Sequence, residues 1–233
     1  MSLQDDLNNY KISLNSLDDV RDHMTEESGT SLTSTYTELY ITEGESEGVN
    51  SQHEVIQLET ASNMKTFHDT PINCCDIFKP LPGRKTPIRR VLTKGIAGIG
   101  KTFSVRKFIL DWAKGLENQD VILLVPFSFR ELNLVRDEKH SLLSLIHVFH
   151  PTLEKVTAEQ LAVWKVGFIF DGLDESRFSL FQNNDIISDV TVTSSVGVLL
   201  TNLTEGICSH RLSSGQPPDL QQPIRSLLHV LTW

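Results

Sequence analysis

Gly95-Ile-Ala-Gly-Ile-Gly-Lys101-Thr102 decides the fold. The stretch matches G-x-x-x-x-G-K-[ST] at every fixed position. Gly95, Gly98 and Gly100 let the backbone adopt conformations closed to other residues and come close to a chain of phosphates, with amide N–H groups pointing inward. Lys101 adds a charge for β- and γ-phosphates, and the Thr102 hydroxyl is a ligand suited to Mg²⁺.

The flanks supply the required context. Val91-Leu92-Thr93 is β-rich. Val105, Phe108, Ile109 and Trp112 recur at i, i+3, i+4 and i+7, the buried stripe of a helix over about 101–114. Strand, glycine loop and helix follow in that order, so the helix N-terminus faces the phosphates. A glycine-rich turn with an incidental lysine would not need these flanks.

Further on, Val121 to Phe127 is a largely apolar run, as a buried parallel strand requires. Ser141 to His150 reads as a helix with Leu142, Leu145, Ile146 and Phe149 inward. Thr157-Ala-Glu-Gln160 fits a capping box for a helix ending near Trp164. Val166-Gly-Phe-Ile-Phe-Asp171 is a third apolar strand, and it ends in a carboxylate. In an open parallel sheet, ligands bind at that carboxyl edge. Asp171 there can hold Mg²⁺ directly or through water, facing Thr102, although an acid after a strand is also a common helix N-cap. Asp174 and Glu175 follow, and one of the two can orient or deprotonate an attacking water.

Upstream the chain is different. Residues 1–60 hold 13 acidic and 2 basic residues, a net of −11 against −9 for all 233 residues. Residues 79–107 hold nine Lys or Arg and no acid, so a polyanionic ligand suits the glycine loop. Arg84, Lys85, Arg89 and Arg90 also fit a merely solvated face. An overall pI near 5.3 argues against nucleic acid as the partner. No apolar run reaches a membrane span of ~18 residues, and the acidic start lacks the apolar core of a secretory signal. Cys74, Cys75 and Cys208 form no disulfide framework and no metal spacing, which points to a reducing, cytoplasmic setting.

Residues 1–32 are polar and expected to be loosely ordered, although Leu7, Tyr10, Leu14 and Leu17 can line one face of a short helix. Thr35 to Thr42 alternates as a strand does. His53 to Ala61 is a short helix or strand, with Val55 and Leu58 inward. Residues 62–90 are loop-like, broken by four prolines, with Ile77-Phe78 as the anchor.

These motifs carry a family resemblance. Gly95 to Thr102 with Phe108-x-x-Asp111-Trp112, Pro126-Phe127-x-Phe129-Arg130-Glu131-Leu132 and Phe168 to Glu175 resemble the NACHT module of NOD-like receptors, including the CARD-containing subfamily. Tyr36 to Gly44 and His53-Glu-Val-x-Gln57-x-Glu59 resemble FISNA, the fish-specific NACHT-associated segment. The resemblance implies an α/β P-loop NTPase of the STAND/NACHT type, a parallel sheet flanked by helices and preceded by a small FISNA segment. It divides the chain into an N-terminal segment (1–32), a FISNA-like segment (33–88), a partial NACHT nucleotide-binding domain (89–205) and a divergent tail (206–233). ATP or ADP with Mg²⁺ would sit on Gly95, Ile96, Ala97, Gly98, Ile99, Gly100, Lys101, Thr102 and Phe103. Thr102 and Asp171 would serve the metal, and Asp174 and Glu175 the water. The family consists of cytosolic innate-immune sensors that exchange ADP for ATP, oligomerise and hydrolyse slowly. In them FISNA packs on the nucleotide site, and Tyr40-Ile41 is the candidate contact.

After about Asn202 the likeness fades. The family continues to a strand ending in Thr-Ser/Thr-Arg-Pro, whose arginine senses the γ-phosphate, and then to helical, winged-helix and leucine-rich parts. Residues 206–233 are instead rich in Ser, Gln and Pro. Ordinary codons for residues 214–228, read from the third base of the Ser214 codon, can give Trp-Thr-Ala-Ser-Arg-Pro followed by Ala-Ala-Ala-Asn. The tail is therefore expected to be a shifted reading of that strand that does not join the sheet, leaving it incomplete with an exposed apolar edge. Without the sensor arginine, the expectation is an ATP/ADP-binding switch module with slow or lost hydrolysis, the alternative being a non-catalytic truncated fragment that acts through protein–protein contacts.

Overall fold

The computed structural model describes residues 3–22, 41, 72–79, 88–180, 185–187, 189–205 and 226–232. A four-stranded parallel sheet carries the molecule. Its strands are β1 (Arg90–Thr93), β2 (Leu123–Ser128), β4 (Lys165–Asp171) and β6 (Ser226–Thr232), in the order β1-β6-β4-β2. A two-stranded antiparallel pair, β3 (Lys139–His140) with β5 (Ser194–Ser195), lies apart from it. The helices are α1 (Leu3–Asp22), α2 (Lys101–Ala113), α3 (Phe129–Leu132), α4 (Leu142–Phe149), α5 (Ala158–Val163) and α6 (Val196–Glu205).

The apolar runs become the buried strands. Leu123, Leu124, Val125 and Phe127 of β2 are buried, as are Val166, Phe168, Ile169 and Phe170 of β4. Stacked phenylalanines join the two strands: Phe127 lies 6.3 Å from Phe168 and 5.7 Å from Phe170 between ring centroids. On α2, the predicted stripe is the buried one, with Val105, Phe108 and Trp112 inside and Ile109 packed against the core. Trp112 closes the helix onto the next strand by donating from Nε1 to the Val121 carbonyl at 2.8 Å. The capping box on α5 forms in full, with Thr157 and Gln160 each satisfying the other's backbone N–H.

Two expectations are corrected. The first concerns the tail: Ser226–Thr232 forms a strand in the middle of the sheet, parallel to β1 on one side and β4 on the other. The apolar run Leu227-Leu228-His229-Val230-Leu231 has the makeup of a buried parallel strand, which the Ser/Gln/Pro composition of the preceding residues obscures. The sheet therefore has no gap between β1 and β4. The second concerns the N-terminus: residues 3–22 are helical, and Leu7, Tyr10 and Leu14 bury one face against the core. Of the FISNA-like expectations, the strand at 35–42 and the segment 53–61 lie outside the described residues, apart from an Ile41 bridge to Ile72. Ile77 and Phe78 do anchor on the core, Phe78 edge-on to Phe108 at 6.0 Å.

At the β2 edge of the sheet, alternate backbone groups turn outward. Tyr10 donates its hydroxyl to the Leu124 carbonyl at 2.9 Å, and His150 Nε2 lies 2.8 Å from the Pro126 carbonyl. Proline suits this outward position because the N–H it lacks has no strand to meet. The two capping rings meet edge-on at 5.5 Å. Burial pulls the His150 imidazole down to about 4 from 6.5, against the opposing effect of the Pro126 carbonyl. A neutral Nε2–H is therefore the donor. The unfolded chain takes the proton first, so this contribution to stability is complete above pH 6.5 and declines as pH falls toward 4. On the order of 2–3 kcal/mol is expected to disappear across that window. Urea titrations at a series of pH values check this. His150→Gln should flatten the slope, and an unchanged slope would assign it to other groups.

Candidate functional site

The phosphate-loop candidate is the turn between β1 and α2. Gly98 (φ 78°) and Gly100 (φ 102°) occupy the left-handed region, where side chains other than glycine are strained. A Cβ on Gly95 would come within 3.2 Å of Ile99 Cγ2. Gly100 is the N-cap of α2, and no side-chain hydrogen bond caps the helix there. Such an end attracts anions through its amide groups and dipole. Lys101 folds back over its own loop, its Nζ donating to the Gly95 carbonyl at 2.6 Å and the Ile96 carbonyl at 3.1 Å. Thr102 is exposed on the first turn of α2, with Phe103 half-buried beside it. Ile96, Ala97 and Ile99 are exposed, so the loop is open to a ligand.

The acids lie beyond β4. Asp171 is that strand's last residue, in register with Ser128 of β2. Because β1, β6 and β4 run parallel, the glycine loop and Asp171 leave the sheet at the same carboxyl edge. Gly172 then turns left-handed (φ 77°), and Leu173–Glu175 forms one 3-10 turn with Asp174 and Glu175 exposed on it. Thr102 and Asp171 offer a hydroxyl and a carboxylate, hard oxygen donors that fit Mg²⁺, an ion that keeps several waters and takes its other ligands from phosphate. No group of three or more His, Cys, Asp or Glu able to hold a metal occurs among the described residues.

The basic window is partly occupied within the protein. Lys79 pairs with Asp76, Lys107 with Asp111 at 2.5 Å, and Arg90 donates to the Thr204 carbonyl at 3.0 Å. Arg84 and Lys85 lie outside the described residues.

Two features escaped sequence reasoning. One is a clasp on α2: Cys75 Sγ donates to Asp111 Oδ2 at 3.4 Å, Cys74 Sγ to the Ser104 carbonyl at 3.5 Å, and Asn118 Nδ2 to the Cys75 carbonyl at 3.2 Å. Burial first, then the Asp111 carboxylate, pushes the Cys75 thiol up to about 12, so it is a structural thiol and not a nucleophile. The paired cysteines and the Asp111-Trp112 step were visible in the sequence, but not their contact across 36 residues. The other feature is Asn133, whose side chain grips the segment that carries the two acids.

Comparison with known proteins fits this geometry. The family model of the NACHT domain matches residues 89–229, which reaches into the first half of β6, and that of the fish-specific NACHT associated domain matches residues 20–79. Protein NLRC3 of Mus musculus is 32% identical over 170 residues, 72% of this chain and 16% of its own length. NLR family CARD domain-containing protein 3 of Homo sapiens is 34% identical over 152 residues, 61% of this chain and 14% of that protein. NACHT, LRR and PYD domains-containing protein 3 of Macaca mulatta is 30% identical over 150 residues, 62% of this chain and again 14% of the relative. The chain thus spans about one seventh of the length of these curated relatives. With the glycine loop, the strand-end acid and the matches over the same residues, the chain belongs to the NACHT-domain family of NOD-like receptors, and its 89–229 region is their P-loop nucleotide-binding module.

Proposed function

We propose that this chain is an ADP/ATP-binding switch module of a cytoplasmic innate-immune receptor, with slow hydrolysis. The observation that carries the proposal is the shared carboxyl edge. A glycine loop with Lys101 at a helix N-terminus and a strand-end Asp171 stand where a nucleotide's phosphates and their metal would meet. Backbone amides of Gly98 to Thr102 take phosphate oxygens, and Lys101 exchanges two carbonyl partners for β- and γ-phosphate. Thr102 and Asp171 would hold Mg²⁺, which would supply positive charge to offset that of the phosphates. Glu175 or Asp174 then accepts a proton from a water whose oxygen bonds the γ-phosphorus. The bond from that phosphorus to the bridging oxygen breaks, leaving ADP and phosphate.

The partners proposed are nucleotide and, through the nucleotide-dependent state, further copies of the chain or related receptors. Among the described residues no helix is long and apolar enough to cross a membrane.

Titration of the chain with fluorescent ADP and ATP, with and without Mg²⁺, tests the proposal. Binding should tighten with Mg²⁺, and Asp171→Asn should remove about tenfold of that gain, as the loss of one charged metal ligand implies. A folded chain that ignores both nucleotides would sink the proposal.

A further inference from the structure

Residues 171–178 form a short strap beyond β4, and both candidate water-handling acids sit on it. Its two ends are pinned by one ring. Phe129, fully buried on α3, lies 6.1 Å from Phe170 next to the start of the strap and 6.4 Å from Phe178 at its far end. Within the strap, Glu175 N–H donates to the Gly172 carbonyl at 2.9 Å and Ser176 N–H to the Leu173 carbonyl at 3.1 Å. These bonds shape the turn, but they do not fix it relative to the sheet.

That fixing comes from Asn133. It lies four residues after Phe129, on the 3-10 turn Asn133–Val135 that continues α3, so the two side chains share a face. Its Nδ2 donates to the Glu175 carbonyl at 2.9 Å, and its Oδ1 accepts from the Arg177 N–H at 3.0 Å. The side-chain amide therefore stands in for a peptide group, with donor and acceptor both engaged, on either side of Ser176. Asparagine is suited to this by having both functions on one planar group; aspartate has no donor, and leucine has neither.

We propose that Asn133 is a positioning residue for hydrolysis, holding the Glu175 backbone so that its carboxylate stands where an attacking water must be oriented. This rests on the nucleotide-switch reading given above. A proton acceptor must lie within hydrogen-bond reach of the proton it takes, and a displacement of about 1 Å costs up to about 100-fold in rate. Glu175 projects from a surface turn, so the backbone clamp is the means by which its reach is set. Asn133 acts through Glu175 and touches no reacting atom.

The test compares the unaltered chain with Asn133→Ala, Asn133→Asp, Glu175→Gln and the Asn133→Ala/Glu175→Gln double variant. Three quantities are read: amide hydrogen exchange over residues 172–178 without nucleotide or metal, affinity for MgATP, and single-turnover hydrolysis. Asn133→Ala should speed exchange in the strap about tenfold and leave exchange in α2 unchanged. It should keep nucleotide affinity within about threefold and slow turnover about 10- to 100-fold. The double variant should turn over no more slowly than Glu175→Gln alone, because both changes remove one function. Asn133→Asp, which keeps the acceptor for Arg177, should fall between, and it decides the matter should the alanine variant not fold. Turnover within twofold of the unaltered chain in Asn133→Ala would overturn the proposal. So would additive losses in the double variant, or a chain that binds nucleotide without turning it over. Failure of the unaltered chain to bind nucleotide would instead overturn the switch reading itself.

Discussion

Lys101→Ala is expected to lower affinity for both ADP and ATP at least 100-fold while leaving the fold intact. The Lys101 ammonium contacts two carbonyl oxygens of its own loop, at 2.6 and 3.1 Å, and both are groups that water can serve equally well. Its loss therefore removes little from the folded state. Alanine is also the best helix former, and the position opens α2. With a nucleotide bound the balance changes. The ammonium then faces phosphate oxygens, and a charge-assisted hydrogen bond contributes about 1.5–3 kcal/mol, more than a neutral one. Two such contacts exceed the roughly 2.7 kcal/mol that a 100-fold change in dissociation constant requires. Equilibrium titration with fluorescent nucleotides reads the affinity, and a circular-dichroism melt on the same samples reads the fold. A melting temperature unchanged and an affinity lost would place the nucleotide on this loop. Affinity retained within about threefold would mean that nucleotide binds elsewhere or that the glycine turn holds no phosphate.

The sequence carried the parts of this protein that depend on local pattern. Residues 95–102 fix a backbone conformation by their glycines. The stripe on α2 follows the helical period, and Thr157 and Gln160 meet within a single turn. Each of these can be read from neighbours a few residues apart. What stayed out of reach rests on contacts across the chain. Tyr10 meets Leu124 across 114 residues and Asn133 meets Arg177 across 44, and no periodicity records either pairing. The polar composition of residues 1–32 pointed to disorder because the helix's apolar face is only three or four residues wide and needs the sheet edge to bury it. β6 was hidden for a related reason: its apolar run is short, and the Ser, Gln and Pro residues before it dominate the composition of the tail. The choice between Asp174 and Glu175 was open because adjacency in sequence does not say which residue's backbone a side chain elsewhere in the chain will hold. Asn133 grips the Glu175 carbonyl, which gives that choice a physical basis.

Tyr10→Ala is expected to destabilise the protein by about 3–5 kcal/mol, the range for removing a large buried aromatic. Three effects act together. The ring is 1% exposed and packs edge-on against Trp112 at 6.5 Å and His150 at 5.5 Å, so its removal opens a cavity beside two other large side chains. The Leu124 carbonyl loses its hydroxyl donor at the edge of the sheet, and an unsatisfied buried acceptor costs about 1–3 kcal/mol. α1 also loses its largest buried side chain, leaving Leu7 and Leu14 in the core and a partly exposed pair, Asp6 with Lys155 at 3.1 Å, of a kind that contributes about 1 kcal/mol or less. Tyr10→Phe separates these effects: it keeps the ring and removes only the hydroxyl, so about 1–2 kcal/mol should be lost. Urea denaturation of the three chains, followed by circular dichroism, gives the comparison. A loss below about 1 kcal/mol in Tyr10→Ala would mean that α1 is a loose attachment and that the β2 edge is covered by other means. The expected loss would instead make the N-terminal helix part of the nucleotide module's own core: with α1 gone, the edge strand beside β4 would present open carbonyls to any passing strand.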